Sequence, residues 1–168
     1  MATIENLKIA AANYNEVSSI SELEHKISVK KEAGKSAKQS VVELEHRIKD
    51  LTEIMKYAEQ YKTNRSYHIG YKKAKNSDAY FRRYESQIIL YGGARRMLEQ
   101  AGINLKSLNV DKLKSEYQEL ISLKNELTAT YKNCEKEVRE LSRKLETLNK
   151  YFNHEDRLPP PTSRNHTL

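Results

Sequence analysis

From Val110 to Phe152 the chain meets a heptad position at every third or fourth residue without a slip: Val110, Leu113, Tyr117, Leu120, Lys124, Leu127, Tyr131, Cys134, Val138, Leu141, Leu145, Leu148 and Phe152. Only Lys124 interrupts the apolar register. Steps alternating three and four keep successive side chains on one side of an α-helix, so the stretch predicts a long helix burying a narrow seam against another. A second series, Leu23, Ile27, Lys30, Gly34, Ala37, Val41, Leu44, Ile48, Leu51, Met55 and Ala58, supplies the other half. Its middle is weak: Lys30, Gly34 and Ala37 bury little, and a glycine inside a helix costs about 1 kcal/mol against alanine. The near-repeats ELEHKI at 22–27 and ELEHRI at 43–48 stand three heptads apart, so the register survives that stretch.

Composition restricts what such helices can build. With 38% apolar and 32% charged residues, no Trp and two Phe in 168 residues, the chain lacks the material for a thick globular core. All three prolines stand at 159–161, leaving nothing earlier that forces a helix to stop. The fold class expected is all-α: an elongated antiparallel coiled-coil hairpin with a shorter third helix packed against it. Segments follow as a short N-terminal helix at 1–18, a long helix at 19–76 that can break near 34, a connecting helix at 77–102, the C-terminal helix at 109–153 and a disordered tail at 156–168. Ser18, Ser19 and Ser21 offer caps for the long helix, Ser77 for the connecting helix and Asn109 for the last one, while Gly102 suits the left-handed residue that ends a helix. The e and g positions of the last helix form a poor charge code for a parallel homodimer, which favours pairing within one chain. Ile121 and Leu123 widen its stripe as a third helix would require. Monomer and homodimer both remain open.

The single cysteine, Cys134, falls in the seam as a small apolar group, which excludes a disulfide framework and fits a reducing interior. No run approaches a membrane span, and the first thirty residues lack a signal peptide's pattern, so a cytoplasmic protein with no membrane partner is expected.

Net charge is +7, and between Ile54 and Leu98 ten basic residues face three acidic ones, so the whole excess sits there. Seven of the eleven tyrosines (57, 61, 67, 71, 80, 84 and 91) interleave with those cations. Cations neutralise phosphates and aromatic faces stack on unpaired bases, a composition suited to single-stranded DNA. The residues nominated for that contact are Arg65, Tyr67, Tyr71, Lys72, Lys73, Lys75, Arg82, Arg83, Arg95 and Arg96. Tyrosine also fills irregular helical cores, with Lys or Arg stacked on its ring, and this packing reading is the one the residues favour.

Nothing points to reaction chemistry. His25 and His46 fall at solvent-facing positions, and His68, His154 and His166 have no neighbour at ligand spacing, so no metal site is expected. Gly92 and Gly93 lie within a helical pattern and lack the spacing of a phosphate cradle; close packing or a kink is their expected role. Carboxylates are plentiful but explained by exposed helix faces, so the chain is expected to be no enzyme and to carry no cofactor.

The run YAEQYKTNRSYHIGYKKAKNSDAYFRRYESQIILYGGARRMLEQAGI, with VDKLKSEYQELISLKNELTATYKN after it, resembles the carboxyl-terminal helical region of relaxases, the mobilisation nucleases of mobilisable plasmids and integrative conjugative elements. NLKIAAANYNEV and ELEHRIKDLTEIM resemble the segments leading into that region, so the likeness spans roughly Leu7 to Phe152. It rests on the spacing of Tyr, Lys and Leu, and the Gly92–Gly93 pair departs from it. The resemblance implies a role in DNA mobilisation. Relaxases nick with a Tyr nucleophile and a His-bound metal in an amino-terminal domain; no residue here matches that histidine motif, so the catalytic domain is expected to be absent and no tyrosine here to be catalytic. The expectation is a separated module that contacts DNA or the transfer machinery, with a relaxase or nuclease subunit or another transfer protein as partner. The alternative is a coiled-coil scaffold that binds proteins and no nucleic acid.

Overall fold

A computed structural model describes the backbone of residues 4–155, with side chains described throughout except at 5–7, 9–17 and 154–155. The tail at 156–168 lies outside the described residues. Three α-helices account for nearly all of the rest: α1 (Ile4–Lys73), α2 (Ser77–Gln100) and α3 (Val110–Glu155), with one 3-10 turn at Leu105–Ser107. The fold is all-α, with α1 packed against both α3 and α2.

The N-terminal helix expected at 1–18 is not separate, because α1 begins at Ile4 and runs on past Ser18, and the continuity at Gly34 that the sequence left open is that of an unbroken helix. Serines at 18, 19 and 21 can serve as caps, yet Ile20 and Leu23 carry the helix on, and an interior serine costs only a few tenths of a kcal/mol or so. α1 ends at Lys73, not 76, and the cap of α2 is Asn76, whose Oδ1 accepts from the Ala79 N–H at 3.1 Å; Ser77 is the first helical residue. Asn109 caps α3 as expected, accepting from the N–H groups of Asp111 and Lys112 at 3.0 and 3.2 Å. Gly102 adopts φ +76°, the left-handed region open to glycine.

The chain divides into two compact units, residues 1–39 with 128–168 and residues 40–127. In the first, Ile27, Gly34 and Ala37 of α1 are buried, as is Cys134 of α3. Lys30 meets Glu137 at 2.6 Å, and Gly34 faces Cys134, so the two helices run antiparallel.

In the second, Leu44 and Leu51 of α1 pack with Leu120 of α3, flanked by Ile48, Met55, Tyr117 and Leu127. Glu45 pairs with Lys124 at 3.1 Å and Glu59 with Lys114 at 3.5 Å, again an antiparallel arrangement. A second cluster joins Ala58, Leu98 and Val110, one residue from each helix, where α2 turns back along α1. Ile121 is half-buried, but Leu123 is exposed: α2 covers α1 beyond Met55 and leaves that flank of α3 bare.

Candidate functional site

From Tyr57 on the covered face of α1 shifts register by one residue: the heptad continuation after Ala58, namely Lys62, Arg65, Ile69 and Lys72, is exposed, whereas Tyr57, Tyr61, Asn64, His68 and Tyr71, spaced four and three apart, are not. The shift, together with the polar Asn64 and His68, hides this face from an apolar count along the earlier register. Asn64 is buried because its side-chain amide donates to the Gln60 carbonyl at 2.8 Å, so the group is satisfied inside its own helix.

α2 lies antiparallel on this face and fills it with rings. The Tyr91 ring stacks on Tyr61 at 4.9 Å and on His68 at 4.4 Å, two α1 residues one heptad apart, so it sits between them. Further along, Tyr67 meets Tyr84 at 5.1 Å, Tyr84 meets Tyr80 at 4.7 Å and Tyr71 meets Phe81 at 5.8 Å. Gly70 makes room for the Tyr80 ring. α2 leaves helical geometry at Tyr84 (φ −123°, ψ 28°), whose ring also receives the Arg83 guanidinium at 5.4 Å.

This packing engages the tyrosines within the fold. Of the residues nominated for DNA, Tyr67 and Tyr71 are half-buried, with their rings against Tyr84 and Phe81. The cations fare differently: Arg65, Lys72, Lys73, Lys75, Arg82, Arg83, Arg95 and Arg96 are all exposed. Arg95 is held by Glu99 at 2.9 Å, and the other seven have no acidic partner among the described residues.

Lys72 and Arg95 stand close enough to His68 to add to the effect of burial, which is the main cause holding the imidazole below its ordinary pKa. Burial and a hydrogen bond with Tyr61 push the Tyr91 phenol up, against the pull of Arg95 and Arg65. Arg65, Lys72 and Arg95 thus gather beside the Tyr61–Tyr91–His68 stack. Lys73 and Lys75 stand at the end of α1, Arg82 and Arg83 in the first turns of α2, and Arg96 lines a groove together with Tyr57 and Gln60.

That groove is the feature that reasoning from sequence missed. It encloses about 430 Å³, and its outer wall is an apolar stripe of α2: Ile89, Leu90 and Met97, exposed by 56%, 45% and 40%, around Gly93. Neither expected role for the glycine pair holds. A Cβ on Gly92 or Gly93 would meet nothing within 4 Å, and the departure from helical geometry falls at Tyr84. The available signal was the spacing of Ile89, Gly93 and Met97, four residues apart on one helix face.

Among the described residues no group of three His, Cys, Asp or Glu could hold a metal ion, and no helix is long and apolar enough to cross a membrane. The arrangement offers surfaces for binding. No protein-family model, no curated protein and no solved structure matches the chain.

Proposed function

We propose that this chain is a non-catalytic helical docking module of a DNA-mobilisation system, which receives a partner's amphipathic helix on the outer face of α2. The observation that carries the reading is the open space over Gly93, flanked by exposed Ile89, Leu90 and Met97. Two glycines inside a helix each cost about 1 kcal/mol, and nothing among the described residues approaches close enough to need them. A second helix laid across the stripe would need them, since its backbone could come close only where no Cβ stands. Arg96, exposed and without an acidic partner among the described residues, lines the groove and favours an acidic flank on that helix. A second copy of this chain would bring the same arginine, so like charges oppose self-association there. The likeness of 57–133 to relaxase carboxyl-terminal regions supports a setting in which a nuclease subunit or another transfer protein supplies the helix.

The test is titration with two synthetic helical peptides sharing a Leu and Ala seam, one flanked by Glu and the other by Lys. The Glu peptide should bind in the micromolar range and the Lys peptide should not. Gly93→Leu should abolish binding while preserving helicity, because its side chain enters empty space. Equal binding of the two peptides, binding indifferent to Gly93→Leu, or a dimer in sedimentation would each defeat the reading.

A second reading is favoured by the gathering of Arg65, Lys72 and Arg95: contact with nucleic acid through phosphates alone, the rings being occupied. It requires single-stranded DNA binding at about 50 mM salt that falls steeply as salt rises. Replacing Lys72, Lys73, Arg82 and Arg83 with Gln should remove that binding with helicity intact. Absence of salt-sensitive binding in the unaltered chain would end it.

A further inference from the structure

We propose a phosphate-binding site in the groove beside the Gly34–Cys134 contact, in the unit formed by residues 1–39 and 128–168. This recess encloses about 480 Å³, within the size range of small-molecule sites at roughly 300–1,000 Å³. Its floor is Gly34, Cys134 and Val138, which contribute no charged group. Lys31, Lys35 and Lys38 of α1 line it, spaced four and three residues apart and therefore on one side of the helix, and Arg139 of α3 joins them.

The charge balance of the recess points to an anion. Lys30 also lines it, but its ammonium is already committed to Glu137 at 2.6 Å. The four remaining cations are exposed, have no acidic partner among the described residues, and share the recess with a single carboxylate, Glu135. Like charges at helical neighbours repel, so this cluster is one that a bound polyanion relieves. Lysine ammoniums on flexible stems suit phosphate as point charges, and the guanidinium adds a forked donor. Three lysines in succession suit linked phosphates better than one isolated phosphate. The ligand class is therefore a chain of phosphates, carried by a free nucleotide or by a nucleic-acid strand. The site shares no residue with the α2 groove and does not depend on the docking reading.

The experiment titrates the full chain, by calorimetry at low salt, with tripolyphosphate, ATP and a short oligothymidylate. One saturable site is expected for at least one probe; ATP or tripolyphosphate assigns a free polyphosphate, and the oligonucleotide alone assigns a strand. Lys35→Gln combined with Lys38→Gln should weaken binding roughly tenfold or more, since each removes a charge-assisted contact. Lys72→Gln combined with Lys73→Gln removes the same charge elsewhere and should leave the site unchanged. All four positions are exposed, so helicity should be retained in both variants. No saturable binding of any probe, or equal weakening by the two pairs, would overturn the proposal.

Discussion

Gly34 and Cys134 meet across the seam between α1 and α3 so closely that a Cβ built on Gly34 would stand 3.1 Å from the Cβ of Cys134. The glycine that weakens the heptad series on paper is therefore the residue that lets the two helices approach. Gly34→Ala gains helix propensity of about 1 kcal/mol and gives up part of it in pushing the seam apart, so its net effect should stay within about 1 kcal/mol of zero. Gly34→Leu has no such compensation and should destabilise by about 1–3 kcal/mol. Urea unfolding followed by far-ultraviolet circular dichroism measures both; a Leu variant as stable as the parent would show that the helices are not held this close.

Gly70 stands in a similar relation to Tyr80, because a Cβ on Gly70 would overlap the tyrosine hydroxyl. The ring can swing aside, but only by giving up its contact with Tyr84 at 4.7 Å. Gly70→Ala should therefore weaken the tyrosine signal in near-ultraviolet circular dichroism and lower stability by about 1 kcal/mol, the scale of one aromatic pair. Adding Tyr80→Leu should remove the clash, so the Gly70→Ala change costs less in that background than in the parent. Identical costs in the two backgrounds would show that the positions are not coupled.

Lys124 is the one charged residue in the α3 series, and its side chain is 32% exposed, with Glu45 at 3.1 Å. An ion pair of this exposure contributes at most about 1 kcal/mol, whereas burying a leucine in the same place gains about 2 kcal/mol. Glu45, itself 53% exposed, remains solvated when its partner is removed. Lys124→Leu should thus raise the thermal midpoint, by an amount corresponding to about 1 kcal/mol. A lower midpoint would mean that the ammonium fixes the register of the two helices and that its loss admits a slipped pairing.

The heptad steps made the α1–α3 seam legible because every position in them, Lys124 included, obeys one geometric period. From Tyr57 on the register shifts by one residue, so a search that keeps the earlier heptad positions lands on the exposed Lys62, Arg65, Ile69 and Lys72, and a search for apolar residues passes over Asn64 and His68. Tyr67 and Tyr71 were ambiguous for a different reason: one ring face can stack on a base or on another ring, and the rings that claim them, Tyr84 and Phe81, lie elsewhere in the chain. The cations around Gly34 were invisible to a charge count along the sequence because Lys35 and Arg139 come together only once α1 and α3 pair. The serines at 18–21 misled because a good cap residue is also a tolerable interior one when the register continues past it.

His68 gives the fold a pH dependence. Burial is the largest cause holding its pKa below the ordinary value, and Lys72 and Arg95 act in the same direction. The folded state then binds its proton less readily than the unfolded chain, in which the imidazole titrates near about 6.5. Above that pH the histidine is neutral in both states and makes no difference to stability. As pH falls below it, the unfolded chain takes up the proton first and stability declines, until the folded-state pKa is reached. The carboxylates depressed by their partners, Glu137 by Lys30 and Glu146 by Lys150, begin to add their own loss only nearer the ordinary carboxylate range. Between about pH 7 and 5 the decline should therefore belong to His68. Thermal unfolding across that interval should show it in the parent, less of it in Lys72→Gln or Arg95→Gln, and little in His68→Phe, which keeps a ring against Tyr91 without a titrating nitrogen. An undiminished slope in His68→Phe would assign the decline to another group.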